Sequence, residues 1–353
     1  MMKPDQRSIG RLLLGLLLIS SVFAVAASGH AQEAASFYKG KTITFLVTTS
    51  PGGGFDMYAR MIAPFLEKET GANVAVQNMI GGEGYIALRY LYNGKPDGFY
   101  ILMTGGSKVT LNQLFGDPRA KGMDIKRFVW LARVVHEPCV LMLSTKFPYR
   151  SLNDLKAAKH TITSGTASSL SNQHLALAIL AEAIGLDAKI IVGFSGSSEQ
   201  SLAAMRGELS AFMISAGSAV AFMKQPELFP LVTASLSRAK LLPTISAINE
   251  LVTLNPKQVK WFQLLDKLLS IERPIFSAPG IPADRAKFLR SALGRVFNNK
   301  EFLAVAVRNQ RLIDYLPGEE VQKIMNELLS MPGSEAKELE NVLDRHMMKS
   351  LTK

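Results

Sequence analysis

The sequence contains little cysteine and histidine. Its one cysteine is Cys139, and its five histidines are spread along the chain. A single cysteine excludes a disulfide framework within the chain and any metal cluster held by several thiolates. The histidines do not occur in close pairs, so a local histidine-rich metal motif is not expected either. We therefore expect neither a metal ion nor a cofactor.

Acidic residues are the smaller charged class. The chain has 29 Asp and Glu against 40 Lys and Arg, which gives a formal net charge of +11. This balance, with 48% hydrophobic residues, excludes an acidic disordered chain and is typical of a packed globular protein. The basic residues are scattered, without a run of five and without interleaved aromatic residues, so nucleic acid is not an expected partner.

Long hydrophobic runs are absent beyond the N-terminus. Residues 12–27 are uncharged and largely apolar, Lys3, Arg7 and Arg11 precede them, and Gly29 and Ala31 follow. A basic start, a short apolar core and a small-residue exit are typical of a cleavable secretory signal peptide. The alternative is an uncleaved membrane anchor, although a membrane span needs about 20 apolar residues. The sequence therefore predicts a signal peptide over residues 1–31 and an exported mature protein.

Strand-like and helix-like segments alternate along the rest of the chain. Residues 42–47 are rich in β-branched residues, and a Gly-rich loop follows at 48–54. Apolar residues then recur at the spacing of an amphipathic helix over residues 58–66, where Pro64 predicts a kink or an early end. The same order of strand, Gly-rich loop and helix recurs further along. This rhythm predicts an α/β fold of βα units with a largely parallel sheet.

Two nucleotide-binding motifs are incomplete. Residues 82–87 fit the glycine pattern of a dinucleotide-binding loop, but no acidic residue follows about 20 positions later. The Gly-rich segment at 51–55 lacks the Gly-Lys-Ser/Thr of a nucleotide P-loop. Neither segment predicts a bound nucleotide.

The motif of a serine hydrolase is also incomplete. Residues 193–197 are one glycine short of a nucleophile elbow, because Ser197 stands at the last position. An exported hydrolase that uses Ser168 or Ser195 as nucleophile remains a less favoured alternative. His174 opens an apolar helix, where we expect a structural role.

Four loops rich in Gly, Ser and Thr follow predicted strands, at residues 48–54, 104–107, 164–171 and 215–218. Open α/β sheets bind ligands in the crevice beyond the carboxyl ends of their strands. Each loop precedes a predicted helix, whose first N–H groups and dipole favour an anion. The loops therefore predict a cleft that holds a carboxylate without an Arg or Lys. Their candidate ligand-binding residues include Gly52, Gly105, Ser107 and Ser215.

Five short motifs occur in the order typical of one known family. The sequence resembles the receptor proteins of tripartite tricarboxylate transporters, also called the Bug family of periplasmic solute-binding proteins, from about residue 37 to residue 343. The motifs that carry the resemblance are Ser-Pro-Gly-Gly-Gly-Phe-Asp at 50–56, Val-Ala-Val-Gln-Asn with two glycines at 74–82, Lys-Pro-Asp-Gly-Phe at 95–99, the stretch 163–174 and Ser-Ala-Pro-Gly-Ile-Pro at 277–282.

The resemblance implies a two-domain periplasmic-binding-protein fold of type II, the Venus flytrap architecture. The chain would cross between domains near 134–138 and return near 258–272. Domain 1 is then expected over 36–135 plus 270–353, and domain 2 over 136–258. Residues 249–272 form an extra helical insertion and crossover. The resemblance also implies a cleft with Thr49, Ser50, Gly53 and Gly54 on one wall and Gly165, Thr166, Ala167 and Ser168 on the other.

The function implied by the resemblance is that of a receptor and not of an enzyme. Such a receptor is periplasmic, binds a small organic carboxylate and delivers it to membrane permease subunits. We expect a monomer, and a ligand-sensing protein for a signalling partner remains an alternative. The sequence departs from the family pattern where Leu170 replaces a glycine, Ser195 replaces a common lysine and Ser210 replaces an aspartate. These departures leave the ligand and its number of carboxylates open.

Overall fold

The computed structural model describes residues 36–166, 168–194 and 196–347. The predicted signal peptide lies outside these residues. In chain order, the elements are β1 (Thr42–Val47), α1 (Gly54–Thr70), β2 (Asn73–Asn78), α2 (Tyr85–Asn93), β3 (Tyr100–Met103), α3 (Gly106–Leu114), β4 (Val129–Arg133), β5 (Cys139–Ser144), α4 (Leu152–Lys156), β6 (Ile162–Thr166), α5 (Asn172–Ile184), β7 (Ala188–Val192), α6 (Ser197–Arg206), β8 (Ala211–Ser215), α7 (Ala216–Phe222), β9 (Leu228–Thr233), α8 (Ile248–Leu251), α9 (Pro256–Leu269), β10 (Pro274–Ser277), α10 (Ala283–Phe297), α11 (Lys300–Arg308), β11 (Leu316–Pro317), α12 (Gly318–Leu328) and α13 (Gly333–His346).

The first sheet has six strands in the order β11-β4-β10-β3-β1-β2. Strands β1, β2 and β3 pair in parallel, as the βα rhythm predicts. Strand β10 returns from the far part of the chain and inserts antiparallel between β3 and β4. The carboxyl ends of β1 and β3 therefore lie side by side, which brings the loops at 48–54 and 104–107 together.

The remaining strands come from the middle of the chain. Strands β6 and β7 pair in parallel, whereas β5 pairs antiparallel with both β8 and β9. A largely parallel arrangement is therefore wrong for β5. The physical reason is that β8 and β9, which are joined by helix α7, run parallel to each other as a βα unit predicts, and β5 inserts antiparallel between them, as β10 does in the first sheet. Segments 134–138 and 270–273 are the links between the first sheet and these strands.

Helix α1 is longer than the apolar spacing predicts. It runs from Gly54 through Pro64 to Thr70 and ends at Gly71, which has a left-handed backbone with φ 68°. The early end expected at Pro64 is wrong. Proline removes one hydrogen bond, to the carbonyl four residues earlier. That carbonyl belongs to Arg60, an exposed residue, so water can replace the lost donor.

Two C-terminal helices pack against elements from the middle of the chain. The helical character expected at 249–272 is present as α8 and α9, and α9 contacts both α5 and α3. Buried Trp261, Phe262 and Leu265 contribute to this packing. Helix α13 lies against α5 and β7. These contacts tie the C-terminal part of the chain to both sets of strands.

Candidate functional site

Three loops of the first sheet meet at the carboxyl ends of β1 and β3. The hydroxyl oxygens of Thr48 and Thr104 lie 2.9 Å apart. Gly84 approaches both, since a Cβ on Gly84 would lie 3.3 Å from Cγ2 of Thr48 and 3.6 Å from Oγ1 of Thr104. Gly84 also has a positive φ of 96°, which glycine adopts at little cost. The loops at 48–54, 81–84 and 104–107 therefore form one surface.

The loop at 48–54, which we call the first wall, is held by its own hydrogen bonds. The N–H of Gly53 donates to the carbonyl of Ser50 at 3.0 Å, and the N–H of Gly52 donates to Oδ2 of Asp56 at 2.8 Å. Oγ1 of Thr49 is buried and has no hydrogen-bond partner among the described residues. Gly54 begins the 17-residue helix α1, whose first N–H groups have no partners within the helix. This wall can therefore donate to an anion.

Asp56 supports the first wall from behind. Arg60 lies 2.9 Å from its carboxylate, and Nδ2 of Asn78 donates both to that carboxylate at 2.9 Å and to the carbonyl of Thr49 at 2.8 Å. Burial would raise the pKa of Asp56, but the bonds from Arg60, Gly52 and Asn78 outweigh it and lower the pKa. Asp56 thus stays ionised and fixes the loop.

Ser107 has no free donor at the start of α3. Its N–H donates to Oε1 of Glu272 at 3.0 Å, and its hydroxyl donates to the same oxygen. Only 1% of Ser107 is exposed. Gly105, the residue before the helix, lies between Glu272 and Phe55, since its Cβ would be 3.7 Å from Oε2 of Glu272 and 3.9 Å from the Phe55 ring. A carboxylate of the chain itself thus occupies this helix start.

Lys108 is a candidate binding residue that sequence reasoning missed. Its ammonium group lies 2.6 Å from Oε2 of Glu83 and donates to Oγ of Ser168 at 3.3 Å. Only 15% of its side chain is exposed, and this burial lowers the pKa of Lys108 despite the nearby Glu83 carboxylate. The local signal was a lysine in the first turn after the Gly-rich loop. It joins the first sheet to the loop at 164–171.

The loop at 164–171 is the second wall. Gly165 packs against the Phe194 ring, which lies 2.5 Å from where a Cβ would be. Oγ1 of Thr166 lies 2.6 Å from Oγ of Ser171, and the hydroxyl of Ser168 faces Lys108. Ala167 and Ser195 lie outside the described residues.

The fourth predicted loop, 215–218, lies beside the links between the sheets. Ser215 precedes α7, and its hydroxyl lies 3.3 Å from that of Ser218. A Cβ on Gly217 would meet Oε1 of Glu137 at 2.7 Å. Oε2 of the same Glu137 pairs at 3.3 Å with Nη1 of Arg273. Residues 137 and 273 belong to the two different links, so this buried ion pair fastens them together.

A separate surface pocket of about 650 Å³ lies at the opposite ends of the strands, between residues 41–44 and 90–100. It lies at the amino ends of β1 and β3. Ligands of open α/β sheets bind beyond the carboxyl ends. We therefore place the candidate site at the converging loops and not at this pocket. Within the described residues, no helix combines the length and apolar character that a membrane span requires.

Comparisons with known proteins identify the family. A model described as "Tripartite tricarboxylate transporter family receptor" matches residues 58–267. A UPF0065 protein from the tcbD-tcbE intergenic region of Pseudomonas sp. strain P51 is 26% identical over 253 residues, which is 70% of this chain and 73% of that protein. Protein BugT of Bordetella pertussis is 29% identical over 142 residues, 40% of this chain and 44% of that protein.

Solved structures share the fold. MatC from Rhodopseudomonas palustris with bound malate has a TM-score of 0.67 at 18% identity and covers 86% of this chain and 99% of its own. R. palustris Rpa4515 with adipate has a TM-score of 0.68 at 18% identity, covering 87% and 99%. The α/β, two-domain periplasmic-binding-protein fold is thus confirmed. The chain belongs to the receptor family of the tripartite tricarboxylate transporters, a family of periplasmic solute-binding proteins and not of enzymes.

Proposed function

We propose that this protein captures a small organic carboxylate between its two domains. The observation that carries the proposal is the bond from Lys108 to Ser168, which closes the loops of the first sheet onto the second wall. The hydroxyl of Thr49, which is buried and has no partner among residues 36–166, 168–194 and 196–347, supplies a donor on the first wall. Related folds with malate in MatC and adipate in Rpa4515 support a carboxylate as the ligand class.

The proposed binding residues are those of the two walls. The first wall offers Thr49, Ser50 and the glycines at 52–54, and the second wall offers residues 165–168. Gly105 and Ser215 lie at the starts of α3 and α7. Ser107 is assigned to the support of the site and not to the ligand, because its N–H and its hydroxyl both donate to Glu272.

We also propose the bounds of the two domains, export of the protein to the periplasm and delivery of its ligand to a transporter. Domain 1 would comprise residues 36–135 and 270–353, domain 2 residues 136–258, and the helical insertion residues 249–272. Because α13 contacts α5 and β7, its last turns would rest on domain 2. Residues 1–31 would be removed on export to the periplasm. The receptor would then deliver its ligand to the membrane permease subunits of a tripartite transporter.

A thermal-shift screen tests ligand binding. Protein exported from the full-length chain is unfolded and refolded to remove any retained ligand, then heated with mono-, di- and tricarboxylates and with neutral amides of the same skeletons. A ligand that binds only the folded state at a hundredfold excess over Kd stabilises it by about 2.7 kcal/mol. Selective shifts by acids are expected. The absence of any shift across the acids would contradict the proposal.

Two further measurements test export and delivery. The mass of the exported protein should correspond to a chain that begins at residue 32. Cells that lack the receptor should lose uptake of the labelled acid identified by the screen, and the restored gene should return it. Unchanged uptake in cells that lack the receptor would show that transport of the acid does not require this protein, even if the protein binds the acid.

A further inference from the structure

The candidate cleft contains two carboxylates of its own. Glu83 lies on the loop between β2 and α2, and Glu272 lies on the returning link before β10. They come from segments that are distant in the sequence, yet both meet the start of α3. Each contacts a group that would otherwise attract an anionic ligand: Glu83 contacts Lys108, and Glu272 contacts Ser107.

Glu83 forms an ion pair with the ammonium group of Lys108. Its Oε2 lies 2.6 Å from Nζ, and its Oε1 lies 3.2 Å from Arg119. Arg119 also pairs with Asp117 at 2.7 Å. Two cations and two carboxylates therefore form a cluster without net charge. Glu83 holds this position with a left-handed backbone, φ 55°, which costs a non-glycine residue free energy that the surrounding structure must offset.

Glu272 occupies the start of α3. It accepts both the N–H and the hydroxyl of Ser107, so two donors at this helix start already bind a carboxylate. Only 3% of Glu272 is exposed. The nearby Arg273 does not leave a free cation either, because it pairs with Glu137. Burial raises the pKa of Glu272 despite the bonds from Ser107 and the nearby Arg273, so its effect here rests on the occupied donors. A second ligand carboxylate placed here would find both donors of Ser107 already bound to Glu272.

The start of α1 differs from the start of α3. Its nearest carboxylate, Asp56, is balanced by Arg60 at 2.9 Å and faces back toward Gly52. Oγ1 of Thr49 is buried there, and no described residue forms a hydrogen bond with it. The first wall can thus take one carboxylate through a hydroxyl and helix N–H groups.

We infer that the ligand is a monoanion, with one carboxylate at the first wall and an uncharged remainder, because Glu83 and Glu272 occupy the positions where a second carboxylate would bind. This inference rests on the proposed function and narrows its ligand class. Glu83 and Glu272 are specificity-determining residues in this view. Replacing either carboxylate should admit a dianion.

Matched acid pairs test the inference. Calorimetric titration of the exported, refolded protein compares butyrate with succinate and pentanoate with glutarate, and succinamate serves as the polar but singly charged control. The wild-type protein should bind the monoacid at least about tenfold more tightly than its diacid, the difference expected when a charged group is left unpaired. Succinamate should bind like a monoacid. A wild-type preference for either diacid would overturn the inference while the proposed function stood.

Two variants test whether Glu83 and Glu272 are the residues that exclude a diacid. Glu83→Gln frees Lys108 at a partly exposed position and should improve diacid binding about tenfold relative to the monoacid. Glu272→Ala frees both donors of Ser107 and should act in the same direction. Glu335→Gln, on exposed α13, should leave the ratio unchanged. If the ratio of diacid to monoacid affinity stays at the wild-type value in both folded test variants, the inference is overturned. If the wild-type protein binds no acid at all, the proposed function is overturned as well.

Discussion

His174 accepts a hydrogen bond from the backbone N–H of Leu170, with 3.2 Å between Nδ1 and N. On the other side of the ring, Nε2 lies 3.3 Å from the carbonyl oxygen of Leu343. A carbonyl only accepts, so Nε2 carries the hydrogen and the imidazole is neutral. The neutral ring thus links the second wall to α13.

Protonation of His174 should weaken the fold. Burial lowers its pKa to about 4, whereas an unfolded histidine has a pKa of about 6.5. Between these values the unfolded chain binds a proton that the folded chain does not, so stability falls as the pH falls. The expected loss from this residue between pH 7 and pH 5 is about 2 kcal/mol. Urea denaturation at both pH values measures it.

The matched variant for this prediction is His174→Gln. A glutamine can accept from Leu170 and donate to Leu343 without titrating. Between pH 7 and pH 5, the free energy of unfolding of this variant should therefore fall by about 2 kcal/mol less than that of the wild-type protein. An equal loss in both proteins would show that other groups cause the acid sensitivity.

Local signals were sufficient for many elements of the fold. The β-branched run at 42–47 is β1, and the apolar helical spacing over 58–66 lies within α1. The predicted Gly-rich loop at 48–54 connects these two elements. These features depend on neighbouring residues, which is why the sequence alone predicted them.

Leu170 departs from the family pattern and has a left-handed backbone. Leu170 stands where the family has a glycine, and its φ is 58°. Left-handed backbone disfavours a side chain with a Cβ. The bond to His174 and partial packing against the core hold Leu170 there. The sequence shows the departure from the family pattern but does not show the left-handed backbone of Leu170.

The parts of the site that sequence reasoning missed depend on distant residues. Glu272 meets Ser107 across 165 positions, and Arg273 meets Glu137 across 136 positions. No local periodicity indicates such pairs. Lys108 appeared as one lysine among 40 basic residues, and only the approach of Glu83 and Ser168 distinguishes it. The expectation of a cleft without a cation therefore came from loop composition, which does not report on the adjoining helix.

Gly106 should not tolerate a side chain. A Cβ at this position would fall on the carbonyl oxygen of Ile271, in the returning link. Backbone atoms cannot move aside as a flexible side chain can, and overpacking of this kind costs about 1–3 kcal/mol. Gly106→Ala should therefore lower the free energy of unfolding by at least that amount, measured by urea denaturation.

The control for this substitution is Gly333→Ala. Gly333 also begins a helix, and a Cβ there would meet no atom of the described residues within 4 Å. Alanine is the better helix former, so this variant should be neutral or slightly stabilised. Similar losses in both variants would point to the helix start and not to the contact with Ile271.

The ion pair between Glu137 and Arg273 should behave as a buried one. Glu137 is 4% exposed, and the guanidinium also lies 5.1 Å from the Tyr58 ring. Removing one partner leaves the other charge buried and alone, which typically costs about 3–5 kcal/mol. Glu137→Gln should show such a loss, and adding Arg273→Met should recover part of it. Strictly additive losses would contradict direct coupling.

The exposed pair Arg206–Glu208 supplies the comparison. Its side chains are each 56% exposed at an N–O distance of 2.6 Å. Exposed pairs contribute little because water screens them. Glu208→Gln should hardly change the denaturation midpoint, even though this pair is shorter than the buried one. Comparing the two pairs tests whether burial, and not the N–O distance, decides how much an ion pair contributes to the free energy of unfolding.

Thr49 precedes α1, Thr70 is its last residue, and the two should respond oppositely to replacement by valine. The hydroxyl of Thr49 is buried without a partner in the part of the chain that the structure describes. Thr49→Val should therefore leave the ligand-free fold unchanged or stabilise it by about 1 kcal/mol, while carboxylate affinity falls about tenfold. The hydroxyl of Thr70 donates to Leu66 at 2.7 Å, so Thr70→Val should destabilise the fold by about 1 kcal/mol and leave affinity unchanged. Denaturation and titration of both variants measure the two effects. Loss of stability without loss of affinity in Thr49→Val would show that this hydroxyl serves the fold and not the ligand.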